Sequence, residues 1–462
     1  MTRVVILGAY GSAGVAAAER LADADAVDEL VLVDDGDPGG GLCILRGCMP
    51  SKELLSVADH RYRARHDDRL VGELPDIDLE ATVARKDDHT LGWAEHRRNA
   101  VHELAERDGV RFIHARGEFV DDHTVEVADE RIEADYVVLA TGSSLNVPDL
   151  PGIGTVDWLS SRDVLDATEL TESGVVMGFG YVGLELVPYL AENGVDLTVV
   201  EHDDRPLDDV DPLFGETLLD IYREEFGVEI RTEVREERVG ETADGGVAVH
   251  LDDGSVAEGE RLFLFTGREP TLDVGVEHTR LDPGPGWVRD TMQAADDDRT
   301  YVVGDVTGER MLLHNAKEEG YLAGDNILAD IRGRSLDEYH PIDHQVMFAG
   351  AGTYPYAKVG MSEGEAREAG HQVAVARREA ADDGVFKTKD APRGGATLVV
   401  DAGDGTVLGY LGLHLHADVM AKTMQVIVEL GLDVRELPDR AYHPTTPEIL
   451  DGLFRDAVAE LD

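Results

Sequence analysis

The stretch GLCILRGCMPSKELL, residues 41–55, carries both cysteines of a 462-residue chain. Two thiols this close, Cys43 and Cys48, can lie buried and inert, as free cysteines tend to. They can also exchange electrons as a thiol–disulfide couple. Two cysteines cannot build a secreted disulfide framework, and no metal-ligand spacing surrounds them, so no metal site is expected. On a regular helix they would stand about 7.5 Å apart along the axis and ~140° around it. A disulfide wants its Cα atoms within about 7 Å. A working couple therefore requires a distorted segment, with Gly47 helping and Pro50 interrupting regularity. A bridge on so tight a backbone is the readily reduced kind. Far downstream, His443 offers an imidazole that titrates near neutrality. Glu448, five residues on, has the chemistry to orient it. Taken alone, His443 reads equally well as a turn histidine beside a proline.

The elements around these residues read as two nucleotide-binding units. Residues 3–34, RVVILGAYGSAGVAAAERL followed by DELVLVDD, give strand, glycine turn, helix and strand. Gly8, Gly11 and Gly14 let the backbone approach a pyrophosphate at the helix N-terminus, and Asp34 stands where a ribose hydroxyl is held. The spacing GxxGxxG is one residue longer than GxGxxG. The pattern recurs from Ser173, where Gly178, Gly180 and Gly183 form a regular GxGxxG and Glu201 ends the second strand. Between the units, ADYVVLATGSSLNVPDLPG (134–152) reads as a buried strand and a Pro/Gly linker, and GERLFLFTGREPT (259–271) repeats the idea. Asp305, in a Gly-Asp turn after RTYVV, suits a polyol ligand or a helix cap. From 341 the pattern changes to α+β.

Charge narrows the classes further. Acidic residues number 95 against 42 basic ones, a formal net charge of -53, and hydrophobic residues make up 42%. The acids are scattered through clear strand and helix patterns, which argues for a folded acidic surface rather than disorder. Such a field repels phosphates, so a nucleic-acid partner is not expected. Molar salt screens it over about 3 Å, and the surface reads as halophilic. Dilution into low salt should unfold the protein or separate its subunits; full activity without salt would refute this. No apolar run reaches a membrane span, and the N-terminus reads as a strand rather than a signal, so a cytoplasmic location is expected.

With these residues in view, the chain resembles the pyridine nucleotide-disulfide oxidoreductases along essentially its whole length. GGLCILRGCMPSK is similar to that family's GGTCLNVGCIPSK, and GFGYVGLE to GGGYIGLE. ATGS, TGREP, VGD and HPTTPE occur in the family's order. Leu42 and Leu45 depart from the motif's Thr and Asn, and VMFAGAGTYPYAKVG departs from VVFTDPEIASVG. The resemblance implies an α/β fold with two Rossmann-like dinucleotide-binding domains and a C-terminal α+β dimerisation domain. The expected boundaries are 1–150 for FAD, 151–272 for NAD(P)H, 273–340 for a central domain completing the FAD site, and 341–462 for dimerisation.

The same resemblance implies the roles. Electrons pass from NAD(P)H through FAD and a Cys43–Cys48 disulfide to a small-molecule disulfide. Cys48 faces the flavin, and Cys43 faces the substrate. His443 and Glu448 come from the partner subunit, which makes the homodimer obligatory. Lys52, near the flavin, pairs with Glu185. Gly8, Gly11, Ser12, Gly14, Asp34, Gly41, Lys52, Thr141, Gly142 and Asp305 belong to the FAD site. Gly178, Gly180, Tyr181, Gly183, Glu201 and Gly267 belong to the nicotinamide nucleotide, with Tyr181 as an aromatic gate. Glu201 favours NADH, whereas His202 and Arg205 could meet a 2′-phosphate; with the family's habit for small thiols, NADPH is the leaning and NADH the alternative. Arg61, Arg63, Arg65 and Arg69, in HRYRARHDDR, read equally as a basic patch suited to carboxylates, with Arg61 and Arg65 as substrate contacts, or as a solvated helix face ion-paired with local acids; Arg97 and Arg98 form a second pair. With the acidic surface, this points to an anionic peptide disulfide, bis-γ-glutamylcystine. The alternatives are dihydrolipoamide dehydrogenase chemistry and a flavoprotein redox sensor without turnover.

Overall fold

The computed structural model describes residues 1–207 and 211–461. The chain forms two compact units. One comprises residues 1–50, 84–146 and 268–341, and the other residues 51–83, 147–267 and 342 onward.

In the first unit, Arg3–Leu7 lies at the centre of a six-stranded sheet. Glu29–Asp34 and Tyr136–Leu139 flank it in parallel, Val110–His114 extends one side, and Asp297–Val302 with Gln293–Ala294 extends the other. Alternate residues of the central strand enter different cores. Val4 and Ile6 pack with Ala13, Ala17, Ala323 and Ile327 on the helical side. Val5 and Leu7 pack with Phe119, Val125 and Ile132 of a three-stranded meander. Both faces are covered, which is why these strands read as unbroken apolar runs. The alanine-rich helix Ser12–Leu21 lies so close to Leu313–Ile331 that a Cβ on Gly320 would strike the Ala13 carbonyl.

The second unit contains a five-stranded parallel sheet in the order Glu229–Arg231, Asp196–Val200, Ser173–Met177, Arg261–Leu264, Trp158–Ser160. It also contains a five-stranded antiparallel sheet, His344–Ala349, Tyr354–Gly360, Val407–Leu413, Gly395–Asp401, Val373–Glu379. The helices Ala417–Glu429 and Glu448–Leu461 pack their apolar faces, Met420, Met424, Ile449 and Leu453 among them, into this unit's core. Among the described residues, no helix is long and apolar enough to cross a membrane.

Candidate active site

The redox segment breaks where helical geometry requires. Gly41, at φ 80°, caps a short helix Leu42–Leu45. Arg46 leaves helical geometry at φ -140°, and a new helix, Cys48–His66, begins after Gly47. A Cβ on Gly47 would stand 3.2 Å from the Cys43 Cα, so the chain doubles back tightly here. Cys43 is half-buried and Cys48 exposed, and no disulfide joins them. The Cys43 thiol is held protonated first by its hydrogen bond with the Cys48 side chain and then by burial. The Cys48 backbone N–H and the Arg97 charge act in the opposite sense. Once Cys43 ionises, those two groups are in place to hold the thiolate.

One turn beyond Cys48, Lys52 donates to both oxygens of Glu185 at 2.7 Å. Glu185 also accepts from the Phe348 backbone N–H at 3.1 Å, and the Lys52 ammonium lies 4.8 Å from the Phe348 ring centroid. The pairing expected from the two motifs is thus formed, with carboxylate and ring fixing the ammonium.

The first nucleotide cradle lies within the first unit. Gly8 turns at φ 94° with its Cα against the Ala140 carbonyl, and Gly14 packs on the Gly8 carbonyl. The extra residue of the first loop is accommodated before the helix. Tyr10 is buried, its N–H donates to Asp34 at 2.8 Å, and its hydroxyl is bonded to His102 Nε2 at 2.8 Å. Asp34 also accepts from the Gly36 N–H at 2.9 Å; burial pushes its carboxyl up, and these two N–H groups pull it down. Gly41 approaches this loop closely, its Cβ position 3.4 Å from the Tyr10 carbonyl. A cleft of about 170 Å³ opens beside Gly8, Asp34 and Thr141. Thr141 donates to the Thr271 carbonyl at 2.7 Å, and Gly142 turns at φ 72° with open space over it. Asp305 accepts from Ser143 Oγ at 2.6 Å; Arg268 in turn donates to that Oγ at 2.8 Å.

Bare backbone at a helix N-terminus, an acid at the end of the second strand and a second acid at Asp305 fit an FAD. Arg97 strengthens the fit. Its guanidinium reaches the Tyr10 carbonyl at 3.5 Å and Ser12 Oγ at 3.4 Å, beside the start of the helix Ser12–Leu21. Sequence showed Arg97 only as one of an arginine pair, because its partners lie more than eighty residues away. Arg98 donates to the Gly39 carbonyl at 2.8 Å.

In the second unit, Gly178 (φ 93°) and Gly183 repeat the first cradle's packing, and Gly180 caps the helix Tyr181–Glu192 with nothing over its Cα. Tyr181 is 39% exposed at that helix start. Gly267 turns at φ 82° with open space over it. Glu201 accepts from the Asp203 N–H at 3.0 Å; burial pushes its carboxyl up. His202 Nε2 bonds to Glu236 at 2.6 Å, and Arg205 pairs with Asp204 at 2.7 Å.

His443 and Glu448 meet as expected, Nδ1 lying 3.0 and 3.2 Å from the two carboxylate oxygens. Glu448 also accepts from the Thr445 N–H at 3.1 Å. The His443 hydrogen bond, then the Thr445 N–H, holds the Glu448 carboxyl below its usual range.

One expectation is corrected. Arg61 and Arg65 do not form a free basic patch. Both bind Glu192, a carboxylate with 1% of its side chain exposed, Arg61 at 2.6 Å and Arg65 through Nε at 3.1 Å. A buried carboxylate needs such compensation, and these arginines supply it, holding two segments together.

Residues 2–320 match the family model described as pyridine nucleotide-disulphide oxidoreductase, and residues 351–453 match that family's dimerisation domain. Dihydrolipoyl dehydrogenase 2 of Haloarcula marismortui is 29% identical, over 97% of this chain and 94% of its own. The mercuric reductase of Bacillus cereus is 28% identical, over 94% of this chain and 68% of its own. The structure of the HOCl-induced flavoprotein disulfide reductase RclA from Escherichia coli superposes with a TM-score of 0.82 at 24% identity, covering 98% of this chain and 99% of that one. With its α/β architecture and the family model matched over well more than half its length, the chain belongs to the pyridine nucleotide-disulphide oxidoreductase family and is an NAD(P)H-dependent flavoprotein oxidoreductase.

Proposed function

We propose that this protein is an FAD-dependent disulfide reductase that passes electrons from NADH through Cys43 and Cys48 to a small-molecule disulfide, bis-γ-glutamylcystine. The observation that carries the reductase reading is the break between Leu42–Leu45 and Cys48–His66, which leaves the two thiols within hydrogen-bonding reach. A bound FAD would supply the two-electron chemistry that links the nicotinamide to the cysteine pair. Gly8, Gly11, Gly14 and Arg97 would meet its pyrophosphate, Asp34 its ribose, and Asp305 its ribityl chain. Glu185 holds the Lys52 ammonium in one orientation near the redox pair's helix start. The Cys48 N–H, at a helix N-terminus, stabilises negative charge on the Cys43 sulfur. The Cys43 thiolate attacks the external disulfide, and His443 Nε2 gives its proton to the departing thiolate while Glu448 holds Nδ1–H. By family resemblance His443 belongs to the partner subunit, so a cytoplasmic homodimer with shared sites is the working unit. Mixing Cys43→Ser with His443→Ala chains should restore activity in mixed dimers; none would appear if each subunit held a complete site.

The sequence leaned to NADPH on His202 and Arg205. Both side chains already meet carboxylates, and Glu201 stands at the ribose position, so a 2′-phosphate would face acid rather than base. This supports NADH.

With Arg61 and Arg65 consumed internally, the substrate reading rests on the halophilic composition combined with the disulfide-reductase pattern, the combination of a haloarchaeal bis-γ-glutamylcystine reductase. A second reading is lipoamide, favoured by haloarchaeal relatives named dihydrolipoyl dehydrogenase. FAD-loaded protein in molar KCl should be assayed with NADH and NADPH against bis-γ-glutamylcystine, glutathione disulfide, lipoamide and Hg(II). Exclusive use of lipoamide would replace the substrate named here. No turnover with any disulfide would favour a redox sensor instead.

A further inference from the structure

We propose that His416 is a positioning residue that seats the His443–Glu448 turn through Thr446. His416 lies at φ 69°, ψ 20°, immediately before the helix Ala417–Glu429. This is the left-handed region, where a residue with a Cβ is strained. Its Nδ1 is 3.0 Å from Thr446 Oγ1, and Thr446 is buried at 3% exposure. Thr446 sits inside the turn whose Thr445 N–H and His443 ring both bind Glu448. The turn, the buried threonine and the strained histidine therefore form one linked set.

The strain requires an explanation, because glycine would take this backbone without it. Neither of the two neighbouring histidines shares the arrangement. His414 is wholly buried, bonded to the Tyr410 hydroxyl at 3.0 Å and to the Leu415 carbonyl at 2.9 Å, and serves packing. His443 stands exposed at the end of its own turn. His416 joins the helix start to that turn, and the left-handed backbone is what aims its ring at Thr446. Burial, then the Lys389 charge, keep its imidazole in the neutral form that can accept the threonine hydroxyl.

This inference rests on the proposed role of His443, and the test separates the two. The holoenzyme is compared as wild type, His416→Gly, His416→Asn, Thr446→Val and His443→Ala. Asparagine tolerates the left-handed region and keeps a hydrogen-bonding side chain. Two half-reactions are read: bleaching of the FAD absorbance by NADH, and reoxidation of the reduced enzyme by the disulfide. His416→Gly and Thr446→Val should slow reoxidation about tenfold, leave NADH-driven bleaching within twofold and keep the melting temperature, and His416→Asn should recover most of the loss. Wild-type reoxidation in His416→Gly beside a crippled His443→Ala overturns the inference alone. Unimpaired His443→Ala overturns the role of His443 itself. Equal slowing of both half-reactions, or a collapse in melting temperature without rescue by asparagine, would mark a merely structural residue and also overturn the inference.

Discussion

The two glycine loops solve one steric problem and then diverge. In each, a glycine with positive φ brings bare backbone against a carbonyl of the next strand's end, Gly8 on Ala140 and Gly178 on Phe265. In each, a later glycine packs on the first, Gly14 on Gly8 and Gly183 on Gly178. From the helix cap onward the spacing is identical, Gly11 to Gly14 and Gly180 to Gly183. The extra residue of the first loop falls before the cap. It is spent on Tyr10, which is buried, bonded to Asp34 and His102, and touched through its carbonyl by Arg97. The second loop is anchored differently, by Phe179, which is buried and packs edge-on against Tyr222 with ring centroids 5.2 Å apart. Its Gly180 meets nothing, and Tyr181 is exposed. The first loop is tied by polar bonds from three directions, which suits a cofactor that stays; the second is held by one aromatic side chain, with its helix cap left bare.

The sharpest way to break this comparison is a methyl group at each first glycine. Gly8→Ala should cost about 3 kcal/mol or more, combining left-handed strain with overpacking, and should yield protein without FAD. Gly178→Ala should retain FAD, read from its absorbance, while NADH-driven bleaching slows at least tenfold. FAD loss from Gly178→Ala would show that the loops are not independent.

A difference of similar size lies beneath the first site. Glu319 is buried under Gly304 and accepts its N–H at 2.7 Å, whereas the buried Glu192 of the second unit is neutralised by Arg61 and Arg65. Burial raises its carboxyl from the ordinary 4.5 to about 7, with the Gly304 N–H opposing. The folded state thus binds a proton that the unfolded chain releases, so stability falls as pH rises from about 4.5 to about 7 and stays lower above it. Glu319→Gln should remove that slope and stabilise the protein by a few kcal/mol at pH 8. Melting temperatures measured at pH 5.5 and pH 8 check it; an unchanged slope would remove Glu319 as its source.

Smaller effects sharpen the contrast. Tyr10→Phe loses one buried hydrogen bond and should weaken FAD retention by about 1 kcal/mol, read by equilibrium dialysis in molar KCl. Gly180→Ala, at φ -72° with open space over it, should change stability by no more than about 0.5 kcal/mol. A large loss there would mean the space over Gly180 is filled after all.

Local pattern made much of this legible. The strand–glycine–helix–strand units, the acids Asp34 and Glu201 and the break in the redox segment all follow from spacing within one element or one turn. His443 and Glu448 meet because five residues of a tight turn suffice. The misreading of Arg61 and Arg65 has the opposite cause. Their partner, Glu192, lies on a helix more than 120 residues away, and a run of arginines carries no mark of what will neutralise it. His202 is similar, since Glu236 comes from a different strand.

Sequence alone determined the two glycine turns, the family and the chemistry available to Cys43 and Cys48, because backbone turns and helical geometry are short-range. Only the tertiary structure decided which charges are spent and which remain to act, because ion pairs are chosen by burial and approach between distant segments.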